Sequence, residues 1–574
     1  MKDKRAFFEQ LNRIHGQSID HYKELVGDYD FTRYVMKCFP FELTEHQATA
    51  TFSVRVPQTI AELPEFLFDT PIRRTALEDY LLRSFCEQAD SFASYDASGV
   101  ARQSIIVNAP TQKILPRNAV QVTKEYVELR VSIDLPVREL LSDEGVLYVV
   151  DGHRAQDIFY EEMMEIIGSS LLYCNMDHAQ VETFVHAMDN ADRLRQHLNA
   201  TGQVAFLAEG SLVERDGLSD EPNYVSVRPL QIEESLHEEV EIAHGGALKG
   251  TSIPAGLTVI VGDDQSGRID LAEAIAQGIY NHIPGDGREQ CVSVSDLVQI
   301  TAEPGRSIQN IDMSVFVEGD QSVRTFSTEA ATAFESQVAA TLEALEVGAR
   351  VLLYDEQSSD PAFLTSDSRL QAFVGDKKEV SLAARARQMV DELGISIVVS
   401  GSNLIAEYLP IADRVLRVKD FTLSDITAEV KEAGIESAAK ASTVEMSGML
   451  SRSRWIMPSS IDSSIGQEDV HIEYDEAGYI LFGRYGVDMS ALTQVASIEQ
   501  MNAIGQSLYY AKLRYMDEGY SIGEILDLID RDVSNEGLNV LARDFSGTLA
   551  RPRRFELVAM LNRLPSFRVS HITQ

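Results

Sequence analysis

The sequence predicts a multi-domain α/β protein built around a mostly parallel sheet. Three observations carry this. From about residue 235 to 420, the strand-like runs "LTVIV", "RVLLYD", "ISIVVS" and "RVLRV" alternate with helical runs, as in a parallel sheet with crossover helices. The first run leads into a glycine-bounded loop and then a helix-like segment, "VIVGDDQSGRIDLAEAIAQ". On either side the pattern changes: residues 1 to about 165 mix helix and strand periods, and the last hundred residues read as mainly helical.

Taken in order, "MKDKRAFFEQLNRI" is an amphipathic helix with Phe7, Phe8, Leu11 and Ile14 on one side; it lacks the apolar core of a signal peptide. "RTALEDYLLRSFCEQ" is helical by its apolar spacing, "YVELRVSIDL" alternates like a strand, and "VLYVV" reads as a short buried strand. Residues 166 to about 205 are helical, including "VETFVHAMDNADRLRQHL", and "QVAFLAEG" is a buried strand entering a turn. Ser442 to Ser464 holds eight serines in 23 residues and reads as a linker or mobile crossing. "SIEQMNAIGQSLYYAKLRYM" and "SIGEILDLIDRDV" are helical. The expected domains are a mixed α+β domain over 1–165, a P-loop domain over 166–440 with its core at about 240–420, and a linker with a mainly helical domain over 441–574.

Composition narrows the function classes. The 574 residues are 44% hydrophobic and 24% charged, ordinary for a soluble globular protein. A net charge of −39 disfavours general attraction to nucleic acid or membrane, though it leaves room for a local basic patch. Cys38, Cys86, Cys174 and Cys291 lie far apart with no C-x-x-C, which points to reduced thiols. The apolar runs are far shorter than a membrane span, so the expectation is a cytoplasmic protein without a membrane partner. "HEEVEIAH" lacks the H-E-x-x-H spacing of a zinc site and alternates like a strand.

The chemistry concentrates at the glycine-bounded loop. A working P-loop, G-x-x-x-x-G-K-[ST], cradles phosphates with backbone N–H groups, reaches them with its lysine and holds magnesium with its hydroxyl. Here Gly262 and Gly267 keep the spacing, with Asp263, Asp264, Gln265 and Ser266 between them; Arg268 stands for the lysine and Ile269 for the Ser/Thr, with Asp270 next. Arginine keeps the charge but is larger and planar. Isoleucine cannot ligate magnesium. At about 5 Å and an effective dielectric of about 20, one carboxylate opposes one phosphate charge by about 3 kcal/mol, so Asp263, Asp264 and Asp270 could cancel the attraction of the helix terminus. The alternative is a self-capped loop, in which Asp264 or Asp270 satisfies those N–H groups itself.

Two further marks follow. "RVLLYDE", Arg350 to Glu356, has the form of a Walker B strand, in which Asp355 would hold magnesium and Glu356 would polarise the attacking water. Upstream, "FSTEAATAFESQVAATLEALEVGA" is a polar turn entering a helix, the position of the signature in ABC-type ATPases; downstream, no histidine stands near Ser400 to Ser402, where a switch histidine would be expected.

With these marks the chain resembles the family of predicted ATPases of the ABC class, a soluble group with its own N- and C-terminal domains. The resemblance rests on "LEDYLLRSF", "ILPRNAV", "VAFLAEGSLVERDGLSD", "YNHIPGDGRE", "FSTE", "LEALEVGARVLLYDE" and "RPRRFELVAMLNRL", which together span nearly the whole chain. It implies an ABC-type P-loop domain, ATP and Mg2+ as cofactors, and a head-to-tail homodimer whose sites are each composed from two subunits. It also implies a nucleotide contact for Ser336 and Gln337 at the end of the signature segment.

The departures from the family fall on the catalytic positions. The family's loop resembles Gly-Gly-Gly-x-His-Gly-Lys-Ser-Thr. Its signature resembles Ala-Ser-Gly-Ser-Thr-Ser-Gln, where this chain has Ala331 to Gln337 with Phe334 and Glu335 inside. "DEQSSDPAFLTSD", Asp355 to Asp367, departs similarly, and an N-terminal glycine-lysine motif is missing around "SGVARQS", Ser98 to Ser104. The expectation is an ABC-class protein with weak or no ATP hydrolysis, acting as a regulator or assembly partner. Two alternatives stay open: an active ATPase with unconventional site residues, and a nucleic-acid-binding protein on an ATPase scaffold. For the last, Arg551, Arg553, Arg554 and Arg563 are the candidate contacts to RNA, an association considered for the family; internal salt bridging, or a subunit contact, is the other reading of the same arginines.

Overall fold

The computed structural model describes the chain except residues 45, 96–100, 103, 143–144, 218, 226, 366–378, 437–443, 447–452, 518 and 574. Most of the glycine-lysine position near Ser98, the end of the "DEQSSDPAFLTSD" segment and much of the serine-rich stretch therefore lie outside the described residues. The chain divides into two compact units, one of residues 1–188 and 536–551, the other of 189–535 and 552–574. Among the described residues no helix is long and apolar enough to cross a membrane.

In the first unit, helix α1 (Lys4–Ile14) is capped by Asp3, whose carboxylate accepts from the Ala6 N–H, and it buries Phe7, Leu11 and Ile14 as its spacing predicts, while Phe8, expected on the same side, is half-buried. The Phe7 ring meets Tyr29 at 4.8 Å and Phe159 at 4.9 Å, both edge to face. Strands β1 (Ala48–Pro57) and β2 (Tyr126–Leu135) pair antiparallel along ten residues. Helix α2 (Pro71–Asp90) starts with Thr70 as N-cap and proline in its first turn. The "VLYVV" run differs from expectation. It is one arm of a two-stranded hairpin, Val137–Ser142 with Gly145–Val150, in which Val149 and Val150 are buried but Val146 and Leu147 are exposed. A hairpin of two strands has no further sheet to cover its outer end.

Helix α3 (His178–Thr201) leads into the second unit, where β3 (Gln203–Ala208) joins a four-stranded sheet with Glu238–Glu241, Ala247–Pro254 and Cys291–Ser293. The central sheet has seven strands. In chain order these are β4 (Gln231–Ile232), β5 (Leu257–Val261), β6 (Leu297–Gln299), β7 (Val351–Asp355), β8 (Ser396–Gly401), β9 (Arg414–Lys419) and β10 (Thr422–Asp425), arranged spatially as β4-β10-β9-β5-β8-β7-β6. All its pairings are parallel except β9 with β10. Helices α4 (Arg268–Gln277), α5 (Ala333–Glu346) and α6 (Leu382–Leu393) lie between strands in sequence. Because β5, β7 and β8 are central, their side chains are buried on both faces, which is why they read as continuous apolar runs. Leu352, Leu353 and Tyr354 are fully buried, and each large apolar side chain so placed stabilises the fold by about 1.5–3 kcal/mol.

Past the serine-rich stretch, Ile472–Tyr474, Tyr479–Phe482 and Tyr485–Asp488 form a three-stranded antiparallel sheet that the helical reading of this region did not include. These strands are too short for alternation to stand out from the turns between them. Helices α7 (Ile498–Arg514), α8 (Ile522–Glu536) and α9 (Arg554–Arg563) follow, as the sequence predicts.

Candidate functional site

The loop between β5 and α4 is folded on itself. Gly262 leaves β5 with its N–H donating to the Gly401 carbonyl at 3.3 Å. A Cβ on Gly262 would lie 2.6 Å from Ser266 Oγ and 2.7 Å from the Val418 carbonyl, so the turn closes only around glycine. Asp263 organises the next residues. Its carboxylate accepts from the Gln265 N–H at 2.9 Å, and its carbonyl accepts from the Ser266 N–H at 3.2 Å and hydroxyl at 2.7 Å. The Arg268 N–H donates in turn to Ser266 Oγ at 3.3 Å. Asp263, Asp264 and Gln265 are exposed, whereas Ser266, Gly267 and Arg268 are buried. Gly267, at φ +89°, is the left-handed residue that opens α4.

Arg268 is fully buried, with its guanidinium turned into the loop. Nε donates to the Gly262 carbonyl at 3.0 Å, Nη1 to Asp355 Oδ2 and to Ser400 Oγ at 2.7 Å each, and Nη2 to Asp264 Oδ1 at 3.0 Å. Asp355, at the end of β7, also accepts from the Gln357 N–H through Oδ1 at 2.9 Å, so both its oxygens are engaged. The carboxylate expected to hold magnesium therefore holds the arginine that stands in the lysine position. A buried charge is tolerated when it is paired and its hydrogen bonds are met, and here one arginine bridges an almost buried carboxylate and an exposed one.

Glu356 is tied to backbone. Its Oε2 accepts from the Ser402 N–H and, at 2.9 Å, from the Asn403 N–H, just past β8. A Cβ on Gly401 would lie 2.4 Å from that same oxygen, so glycine is what lets the carboxylate approach. Asp270, half-buried on α4, has its pKa raised by burial; Arg288 lowers it, while Glu214 and Glu273 raise it. Its electrostatic neighbours are thus the residues around Arg288. Ile269 is half-buried and offers no oxygen.

At the signature position, Thr332 caps α5 in a reciprocal box. Thr332 Oγ1 accepts from the Glu335 N–H at 3.2 Å, and the Glu335 carboxylate accepts from the Thr332 N–H at 2.8 Å. Ser336 is fully buried; its Oγ donates to the Ala333 carbonyl and accepts from the Glu303 N–H. Gln337, also fully buried, donates to Ser359 Oγ and accepts from the Asp360 N–H, both at 2.8 Å.

The four C-terminal arginines sit as follows. Arg551 is half-buried, and its N–H donates to the Pro116 carbonyl at 2.9 Å. Arg553 donates to Glu556 and to the Ser295 and Leu297 carbonyls. Arg554 pairs with Asp527 at 2.7 Å. Arg563 is buried in a two-toothed pair with Glu303. Burial alone would raise the Glu303 carboxyl, but the Arg563 guanidinium outweighs it and holds it below the usual carboxylate range.

In this conformation the residues present do not fit a magnesium–nucleotide complex. The loop's positive group is bonded to the metal-position carboxylate, three loop N–H groups are spent inside the loop, and the position after Arg268 has no oxygen. Two participants carry no motif in the sequence. Ser400 marks only the place where a switch histidine would be expected, at the end of an apolar strand. Phe421, which packs on Gly267, was signalled only by the two-residue turn in "RVKDFTLSD".

Comparisons with known proteins show which family's domains hold this loop. The family model for the ABC ATPase P-loop domain matches residues 177–454, and the model for the N-terminal domain of ATPases of the ABC class matches residues 5–174; together they cover well over half of the chain. The model for the MRB1590 C-terminal domain matches residues 471–570. Uncharacterized protein MJ1628 of Methanocaldococcus jannaschii is 24% identical over 273 residues, 44% of this chain and 59% of the relative, so the chain spans a little over half the length of that relative. The structure of CbiO1 from Clostridium perfringens, part of the ABC transporter complex CbiONQ, matches 41% of this chain and 92% of its own at 14% identity and a TM-score of 0.24, a likeness too slight to carry an argument.

Proposed function

The chain belongs to the family of ABC-class ATPases, and from that premise we propose that it is a member whose phosphate-binding loop is filled by its own Arg268. ATP hydrolysis is then weak or absent, and the protein works as a regulator or assembly partner, with a homodimer as its expected form. The observation that carries this reading is the bond from Arg268 to Asp355, reinforced by Ser400 and Asp264. Glu356, held by two backbone N–H groups, supports it further, because a general base must be able to reach its water.

The other reading is an ATPase in which Arg268 turns to the phosphates and Asp355 to magnesium; membership of an ATP-binding family favours it. Calorimetric titration of the purified chain with ATP and magnesium, beside a turnover assay of wild type and Glu356→Gln, separates the two. Robust magnesium-dependent hydrolysis that disappears in Glu356→Gln overturns the impaired reading. A nucleic-acid role remains a third proposal, tested by binding at low salt with Arg553 and Arg554 changed to alanine.

A further inference from the structure

Beside the loop, the two-residue turn between β9 and β10 carries an unusual backbone. Asp420 and Phe421 both have positive φ, +49° and +58°. Such a turn suits the twist of a hairpin, but its second position ordinarily takes glycine, and a bulky residue there is an outlier. The outlier is compensated on the P-loop. The Phe421 N–H donates to the Ser266 carbonyl at 2.8 Å, and its own carbonyl accepts from the Gln231 N–H at 2.8 Å. Its ring, 2% exposed, lies where a Cβ on Gly267 would come within 2.8 Å of it. On the ring stands the Arg228 guanidinium, 4.2 Å from the centroid, held by Glu214 through Nε at 3.0 Å and Nη2 at 2.6 Å. Glu214, Arg228, Phe421 and Gly267 thus form a continuous brace ending on the residue that precedes Arg268.

We propose that the Asp420–Phe421 turn is an autoinhibitory strap: it presses the phosphate-binding loop closed around Arg268, and nucleotide reaches the loop only when the turn lifts. This rests on the reading of the loop as a nucleotide site filled by Arg268. An aromatic residue in a left-handed position is tolerated only where surrounding contacts over-determine it, and here two of those contacts, with the Ser266 carbonyl and Gly267, are with the loop, beside those of Gln231 and Arg228. A ring that served only the hairpin would have no reason to replace glycine at a turn that glycine suits better.

The test uses the full chain with Phe421→Asn, which tolerates the left-handed backbone and removes the ring, and Phe421→Gly, which also removes the backbone outlier. Hydrogen exchange is followed at the amides of residues 265–269, with those of 258–260 and 352–354 as the internal measure of an intact sheet. The expected result in both variants is exchange at 265–269 faster by at least about tenfold with the sheet amides unchanged, as for a locally released segment. Alongside it, ATP affinity by calorimetry rises by at least about fivefold, the gain from a larger population of the competent state. Loop exchange equal to wild type in a chain with a protected sheet overturns the proposal. So does faster loop exchange with unchanged or undetectable ATP binding, since the turn would then brace the loop without blocking the site. If the wild-type chain itself hydrolyses ATP robustly, it is the reading of an impaired site that falls, while the exchange comparison still reports on the turn.

Discussion

Replacing Arg268 by alanine is the most direct test of how the loop is built. The substitution removes a fully buried guanidinium and its four hydrogen bonds, to Gly262, Asp355, Ser400 and Asp264. The Asp264 bond adds little, because that carboxylate is 61% exposed and water replaces its partner. The Asp355 bond dominates, because that side chain is 9% exposed and would keep a carboxylate without its cation. Breaking a buried pair from one side costs about 3–5 kcal/mol, and losing the packed aliphatic stem acts in the same direction. Urea unfolding, followed by the fluorescence of Trp455, the single tryptophan of the sequence and a residue of the same compact unit, reports the loss. In a chain of two units the transition midpoint of that unit is the quantity to compare. Adding Asp355→Asn to Arg268→Ala removes the stranded charge and is expected to recover part of the loss, about 1–3 kcal/mol, a coupling that independent sites would not give. A loss below about 1 kcal/mol in Arg268→Ala would refute the reasoning, since an arginine held out toward a ligand contributes no more than that to the free protein.

Gly267→Ala is expected to destabilise the second unit by at least about 1–2 kcal/mol, because its backbone is left-handed and the new Cβ meets the Phe421 ring; the same urea midpoint measures it. The Glu303–Arg563 pair makes stability fall in acid. The Glu303 pKa is lower folded than unfolded, so its contribution is complete above about pH 4.3 and is lost as the pH falls through the folded value; Glu303→Gln should flatten that limb in urea midpoints taken from pH 6 downward. Arg563→Ala should cost about 3–5 kcal/mol at neutral pH by stranding the buried carboxylate, and a midpoint equal to wild type would count against a structural role. Glu356→Gln keeps an oxygen that can accept from the Ser402 and Asn403 N–H groups but loses the charge; a cost of about 1 kcal/mol is expected in the same midpoints.

What the sequence determined by itself is what depends on neighbours along the chain. The strands at 257–261, 351–355 and 396–401 were legible because burial on both faces makes each a short apolar run. The loop was legible because Gly262 and Gly267 serve a local turn, and the acid pair Asp355–Glu356 because it ends a strand. The short strands between Ile472 and Asp488 were not, since three or four residues carry too little alternation to be distinguished.

The direction of each charge was decided only by the tertiary structure. Counted along the chain, Asp263, Asp264 and Asp270 all opposed an anion at the loop. Folded, Asp263 caps a turn, Asp264 pairs with Arg268, and Asp270 has the surroundings of Arg288 as its electrostatic neighbours. Arg268 stands in the position of the phosphate-binding lysine, and in the fold Asp355, 87 residues away, and Ser400, 132 residues away, come within 2.7 Å of one of its nitrogens. The physical reason is that a side chain's partner is set by where strands meet in the sheet. Parallel pairing of β5 with β8, and of β8 with β7, brings the Gly262 turn, Ser400 and Asp355 to one edge, and no local pattern encodes that convergence.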